Sequence, residues 1–149
     1  MLSDADAAAQ RALTLEPALP VARYAVALNC ELRLDWACAE KAYREMLRLP
    51  GVGSREMANA ARLLAQIGQP GEALKIAASA LALDPLSPAR QRDHIIVTIN
   101  ARQADTALAL IAAHNAANPG ARFDPYWHAR ALLLKGKPRD AAAMAAKDT

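Results

Sequence analysis

"GEALKIAASALALDPLSP" (71–88) is answered one stretch later by "DTALALIAAHNAANPGAR" (105–122). Ala73 and Ala107 stand 34 residues apart, and so do Pro85 and Pro119. Stepping the same interval along the chain adds Ala5, Ala39 and Ala141. In an alanine-rich chain other residue types must keep the register too. Twelve residues after these alanines come Pro17, Gly51, Pro85 and Pro119, and five before them come Leu34, Gly68, Arg102 and Gly136. Seven after come Ala12, Met46, Ala80, His114 and Asp148. Nine before come Cys30, Leu64, Thr98 and Leu132, and three earlier still Ala27, Ala61, Ile95 and Ala129. A period of this length means stacked copies of one supersecondary unit, each burying its apolar face against the next.

The unit is helical. Ser87-Pro88 and Asp124-Pro125 each put a capping side chain before a proline suited to the first helical position. Asp35 before Trp36 and Ser54 before Arg55 read as further caps, while Pro70 and Pro138 open other helices. "LDP" (83–85) and "NPG" (118–120) close helices, because proline cannot continue one. Nine helices follow, at 3–15, 20–33, 36–49, 54–67, 70–83, 88–102, 104–117, 123–136 and 138–147. A core of alanine and leucine with 4% aromatics suits closely approaching helices better than sheets.

A 34-residue period with small residues and proline at these offsets resembles the tetratricopeptide repeat, two antiparallel helices per unit. The resemblance implies an all-α, right-handed solenoid over residues 1–149. Residues 1–19 would be the second helix of an incomplete unit, 20–53, 54–87 and 88–121 full units, and 122–149 a final, shortened one. "DWACAEKAYREMLRLP" (35–50) and "ALALDPLSP" (80–88) are also similar to the repeat arrays behind winged-helix and nucleotide cyclase domains of bacterial regulators. "ADAAAQRAL" (5–13) would then expose an apolar face that awaits a partner, either more of a longer chain or a second copy.

The first helices of such units line a concave face. The register places Tyr24 and Glu31 there, then Arg55, Asn59, Arg62 and Gln66, then Arg92, Ile96 and Asn100, then Tyr126 and Arg130. Four arginines with amides between them suit an acidic or carboxylate-bearing segment, through charge-assisted and often bidentate hydrogen bonds. The carboxylate clamp of chaperone-binding repeat proteins is matched only at Asn59, since Tyr24 and Leu28 stand where it needs lysine and asparagine. "FDPYWHAR" (123–130) gathers Phe123, Tyr126 and Trp127, which read as sealing the last unit rather than as a hot spot. His94, His114 and His128 fall at inward register positions and read as packing, with a metal site the minor alternative.

Other functions find little support. There is no G-x-S-x-G, no phosphate-cradling glycine loop and no H-E-x-x-H, so the expectation is a non-catalytic protein without cofactor or metal. Net charge is +3, and the excess lies in residues 76–149, which hold 9 basic and 6 acidic groups. That is far from the basic stripe of a nucleic-acid reader. No apolar run is long enough to span a membrane. "MLSDADAAAQR" (1–11) carries aspartates where a secretory signal carries lysine or arginine, so the expected compartment is the cytoplasm. Cys30 and Cys38 form no metal or redox motif and read as reduced, buried thiols. The expectation is a scaffold that binds a protein or peptide in its groove. The alternative is a self-association or interdomain docking element of a larger bacterial regulator, with a homodimer forming through the unpaired first helix.

Overall fold

The computed structural model describes residues 2–146. Within them lie α1 (Leu2–Leu15), α2 (Pro20–Leu32), α3 (Trp36–Leu47), α4 (Ser54–Gln66), α5 (Pro70–Leu83), α6 (Pro88–Asn100), α7 (Ala104–Ala117), α8 (Pro125–Leu134) and α9 (Pro138–Ala145). The expected last residue of the ninth helix lies outside the described residues. Each helix packs on its sequence neighbours, with α2 against α3, α4 against α5 and α8 against α9 as antiparallel pairs. First helices also meet across units, α4 on α6 and α6 on α8. The fold is an all-α solenoid.

The register maps onto burial. Ala39, Ala73 and Ala107 are fully enclosed and Ala141 nearly so, as are Ala27, Ala61 and Ile95. Small side chains at these points let the paired helices approach closely. Ala5 is exposed, because no described helix packs on that side of α1. The slot five residues before each alanine proves to be a backbone requirement. Leu34, Gly68, Arg102 and Gly136 all have positive φ, at 58°, 89°, 61° and 76°. Each forms the left-handed residue that turns the first helix of a pair into the second.

Larger residues fill the space between units. Tyr43, Met46 and Leu63 are enclosed in one cluster that spans α2, α3 and α4. Leu64 and Val97 join α4 to α6, and Ile99, Ile111 and Phe123 join α6 to α7 and the approach to α8. On the outer side Arg44 of α3 donates to Glu72 of α5 at 2.9 Å, to Glu40 at 3.0 Å and to Gln69. These bonds hold the Glu40 carboxyl below the usual carboxylate range, with the Arg44 hydrogen bond the main cause.

Three expectations need correction. Cys30 and Cys38 are not free thiols: the structure joins them in a disulfide with Cα atoms 5.7 Å apart. The antiparallel hairpin brings them opposite each other, four residues on either side of Leu34. Ser54 is the first helical residue of α4 rather than its cap, a place taken by Gly53, whose extended backbone needs no side-chain bond. Asp35, Ser87 and Asp124 do cap, accepting from the amides of Cys38, Arg90 and Tyr126. Finally, α8 starts at Pro125 and ends at Leu134, shorter than expected at both ends, because the Asp124 cap and the Gly136 turn set its limits.

Candidate functional site

The first helices α4, α6 and α8 enclose two neighbouring hollows. The first, about 850 Å³, lies where α6 and α8 begin. Arg62 and Arg92 rim it, Ala89 and Ile96 line its α6 wall, and Phe123 and Trp127 close the far side. The loop before α8 is pinned from below. Asn115 accepts the Phe123 amide at 2.6 Å, and Phe123 stands edge-on to the His114 ring with centroids 5.7 Å apart. The second hollow, about 570 Å³, lies one to two turns further along the same helices. Gln66, Asn100, Arg102 and Arg130 are its polar residues, with Ile99, Leu133 and Leu134 between them.

The sequence-derived residues divide among these places. Arg62, Arg92 and Ile96 share the first hollow, and Gln66, Asn100 and Arg130 the second. Arg55 and Asn59 stand further up the solenoid. Asn59 Nδ2 donates to the Tyr24 hydroxyl at 3.1 Å and to the Arg55 carbonyl at 2.9 Å, while the Arg55 guanidinium lies over the Tyr24 ring. Tyr24 itself is a correction. It is only 6% exposed and packs against Tyr43, so it belongs to the core and offers the groove nothing but a hydroxyl edge. Tyr126 is exposed, and Arg130 lies over both its ring and that of Trp127, at 5.9 and 4.8 Å from the centroids. The aromatic triplet therefore splits: Phe123 seals the core, Trp127 walls the first hollow and Tyr126 faces outward.

The four arginines are not equally free. Arg62 pairs with Glu31 at 3.6 Å and Arg92 with Asp124 at 3.2 Å. Glu31 also accepts from the buried Tyr43 hydroxyl at 2.5 Å; burial, and then this carboxylate, push that phenol far above its ordinary range. Arg90 meets Asp93 at 3.1 Å, and burial nonetheless raises the Asp93 carboxyl. Arg130 rests on the faces of Tyr126 and Trp127, which leaves its N–H edge open to an acceptor, whereas Arg55, over the Tyr24 ring, is also hydrogen-bonded to the Tyr24 side chain.

The histidines do not converge. His94 and His114 line a cavity of about 250 Å³ between α5, α6 and α7, His114 also borders the first hollow, and His128 lines neither. Among the described residues no group of three or more histidine, cysteine, aspartate or glutamate side chains could hold a metal ion. Burial lowers the His94 pKa, which favours its neutral imidazole over the charged form. Sequence alone does not reveal every lining residue. It gives Trp127 and Phe123 a packing role only, and it shows Arg102 simply as a departure from glycine in the turn slot.

Solved structures share this architecture. PilW, a widely conserved type IV pilus biogenesis factor, superposes with a TM-score of 0.78 at 22% identity, over 96% of this chain and 66% of PilW. YrrB, a TPR protein with an unusual peptide-binding site, gives 0.73 at 21% identity, over 96% of this chain and 74% of YrrB. The fold is that of the tetratricopeptide repeat. The Pseudomonas aeruginosa pilF protein gives 0.74 at 18% identity over 99% of this chain and 69% of its own. No family model and no curated protein matches the sequence. Among the described residues no helix is long and apolar enough to cross a membrane. The tetratricopeptide fold thus accounts for the 34-residue register, the left-handed turn slot and the inner placement of α4, α6 and α8.

Proposed function

We propose that this chain is a non-catalytic scaffold that holds a protein or peptide segment in the groove formed by its first helices. The observation that carries the reading is the pair of adjoining hollows between α4, α6 and α8, apolar in their walls and rimmed by arginine and amide groups. Such a surface is held rigid by the solenoid, so little ordering cost falls on the protein when a ligand arrives. The rim favours an acidic or carboxylate-bearing segment, because guanidinium donors meet carboxylates in paired, charge-assisted bonds. YrrB provides a precedent on the same fold, since its structure is described as containing a peptide-binding site. A Cys30–Cys38 bond would persist in an oxidising compartment, whereas thiol reductants of the cytoplasm, the expected compartment, would open it.

Panning a displayed peptide library against the folded chain tests the reading. Enriched peptides should bind about tenfold more weakly to Arg92→Glu/Arg130→Glu, and the loss should shrink at high salt. Arg48→Glu, at the C-cap of α3 and away from the hollows, should leave affinity unchanged once circular dichroism shows each variant to be helical. Failure to enrich any peptide, or equal losses at both places, refutes the groove.

A second reading rests on α1. Its Leu15 is 87% exposed, and no helix among the described residues covers the flank carrying Ala5 and Ala8. A second copy docking there would give a dimer, and sedimentation showing a monomer at every concentration would remove this alternative.

A further inference from the structure

The two hollows differ in charge balance. In the first, Arg62 and Arg92 are already answered by Glu31 and Asp124, and Asp93 and Arg122 both line the wall. No aspartate or glutamate lines the second hollow, whose charged groups are Arg102 and Arg130. Beside them the Asn100 Nδ2 is buried and donates to no acceptor among the described residues. A buried amide N–H without an acceptor is destabilising, a cost that an arriving oxygen removes.

The hollow lies near the carboxyl ends of α6 and α8, where helix dipoles would repel an anion. Those ends are closed by their own turns. The Arg102 amide donates to the Ile99 carbonyl at 2.9 Å and the Gln103 amide to Thr98 at 3.1 Å; Gly136 donates to Leu133 at 3.0 Å and Lys137 to Leu132 at 2.9 Å. With these carbonyls satisfied, the two guanidinium groups dominate the local field.

Spacing along the helices links the two hollows. Arg62 and Gln66 are four residues apart on α4, as are Ile96 and Asn100 on α6, while Arg92 and Asn100 are eight apart. At 1.5 Å per helical residue the hollows are offset by about 6–12 Å along the inner helices, or roughly two to four residues of extended chain. We propose that the second hollow takes an acidic side chain, held by Arg102, Arg130 and the Asn100 amide, from a segment that lies along α6. An apolar side chain two to four residues away fills the first hollow against Ile96, Phe123 and Trp127. This deepens the groove reading and rests on it. The acid belongs to an internal residue, because Leu133, 56% exposed beside Arg130, offers the continuing chain an apolar surface that a chain end would leave bare.

The probes are fluorescein-labelled peptides of about eight residues, acetylated and amidated at their ends, with an alanine–serine background. Each carries one leucine and one glutamate, set between one and about six positions apart. Fluorescence anisotropy should show affinity peaking at separations of about two to four, and a glutamate-to-glutamine change in the best peptide should weaken it about tenfold. Arg130→Gln/Arg102→Asn should erase that preference for glutamate, bringing the glutamate and glutamine peptides to equal affinity. Asparagine is chosen at position 102 because it tolerates positive φ.

Binding that is indifferent to the glutamate, or a glutamate preference that survives the double variant, overturns this inference while the groove stands. Binding confined to peptides with a free C-terminal carboxylate overturns it in the same way. If no spacing binds and the protein is folded, this inference and the groove reading fall together.

Discussion

Leu34 and Arg102 sit in backbone geometry that glycine adopts freely and L-residues reach only at a cost of about 1–2 kcal/mol. In the sequence both look like departures from a glycine slot; in the structure they obey it, with φ values close to those of Gly68 and Gly136. The fold imposes the turn on whichever residue arrives. Leu34 is 69% exposed, so its side chain contributes little packing. Leu34→Gly should therefore stabilise the chain by about 0.5–1 kcal/mol, the relief of strain being partly offset by the freer unfolded chain. Urea denaturation of the two proteins measures this, and an unchanged or lower midpoint would refute it. Tyr24 shows the opposite limit of reading residues from a register. Its position faces the groove, but a ring of that size turns inward to meet Tyr43, and nothing in the spacing specifies which way a long side chain bends.

At the level of elements, the hairpin of α2 and α3 is the one the sequence described least well. Proline and acid–proline signals placed helix starts closely, since capping chemistry is local and repeats faithfully. The disulfide needed one more step. Cys30 and Cys38, eight residues apart, carry no motif, yet with the turn fixed at Leu34 an antiparallel pair places them opposite one another. Closing so short a loop restricts the unfolded chain by about 2–3 kcal/mol in the chain-entropy account. Reduction should lower the melting temperature by roughly 5–10 °C. A scan of oxidised protein against protein treated with a phosphine reductant checks this, and mass spectrometry should find a gain of about two mass units per chain on reduction. Oxidised protein whose thiols all react with an alkylating reagent before reduction would refute the bond itself.

Across the whole molecule, stability in a solenoid is a sum over units and the interfaces between them, so it is not uniform. Interior helices are clamped on both sides: α4 packs on α3, α5 and α6, and α6 on α4, α5, α7 and α8. By contrast α9 rests on α8, and α1 on α2. The period does not show this asymmetry, since Thr98 and Arg102, which depart from it, fall in and just beyond α6, one of the most clamped helices. The groove was legible only as a face, because the hollows depend on how α6 and α8 splay and on a loop fastened by Asn115, which no register encodes. Amide hydrogen exchange should therefore find the slowest amides in α4 and the α6 core around Val97, with α9 exchanging first through local opening. A peptide seated along α6 should slow exchange in α6 and α8 together and leave α3 untouched, since each unit feels only its neighbours. Uniform slowing across all helices would mean instead that ligand binding and global unfolding are coupled, and that the array behaves as one cooperative block rather than as a chain of interfaces.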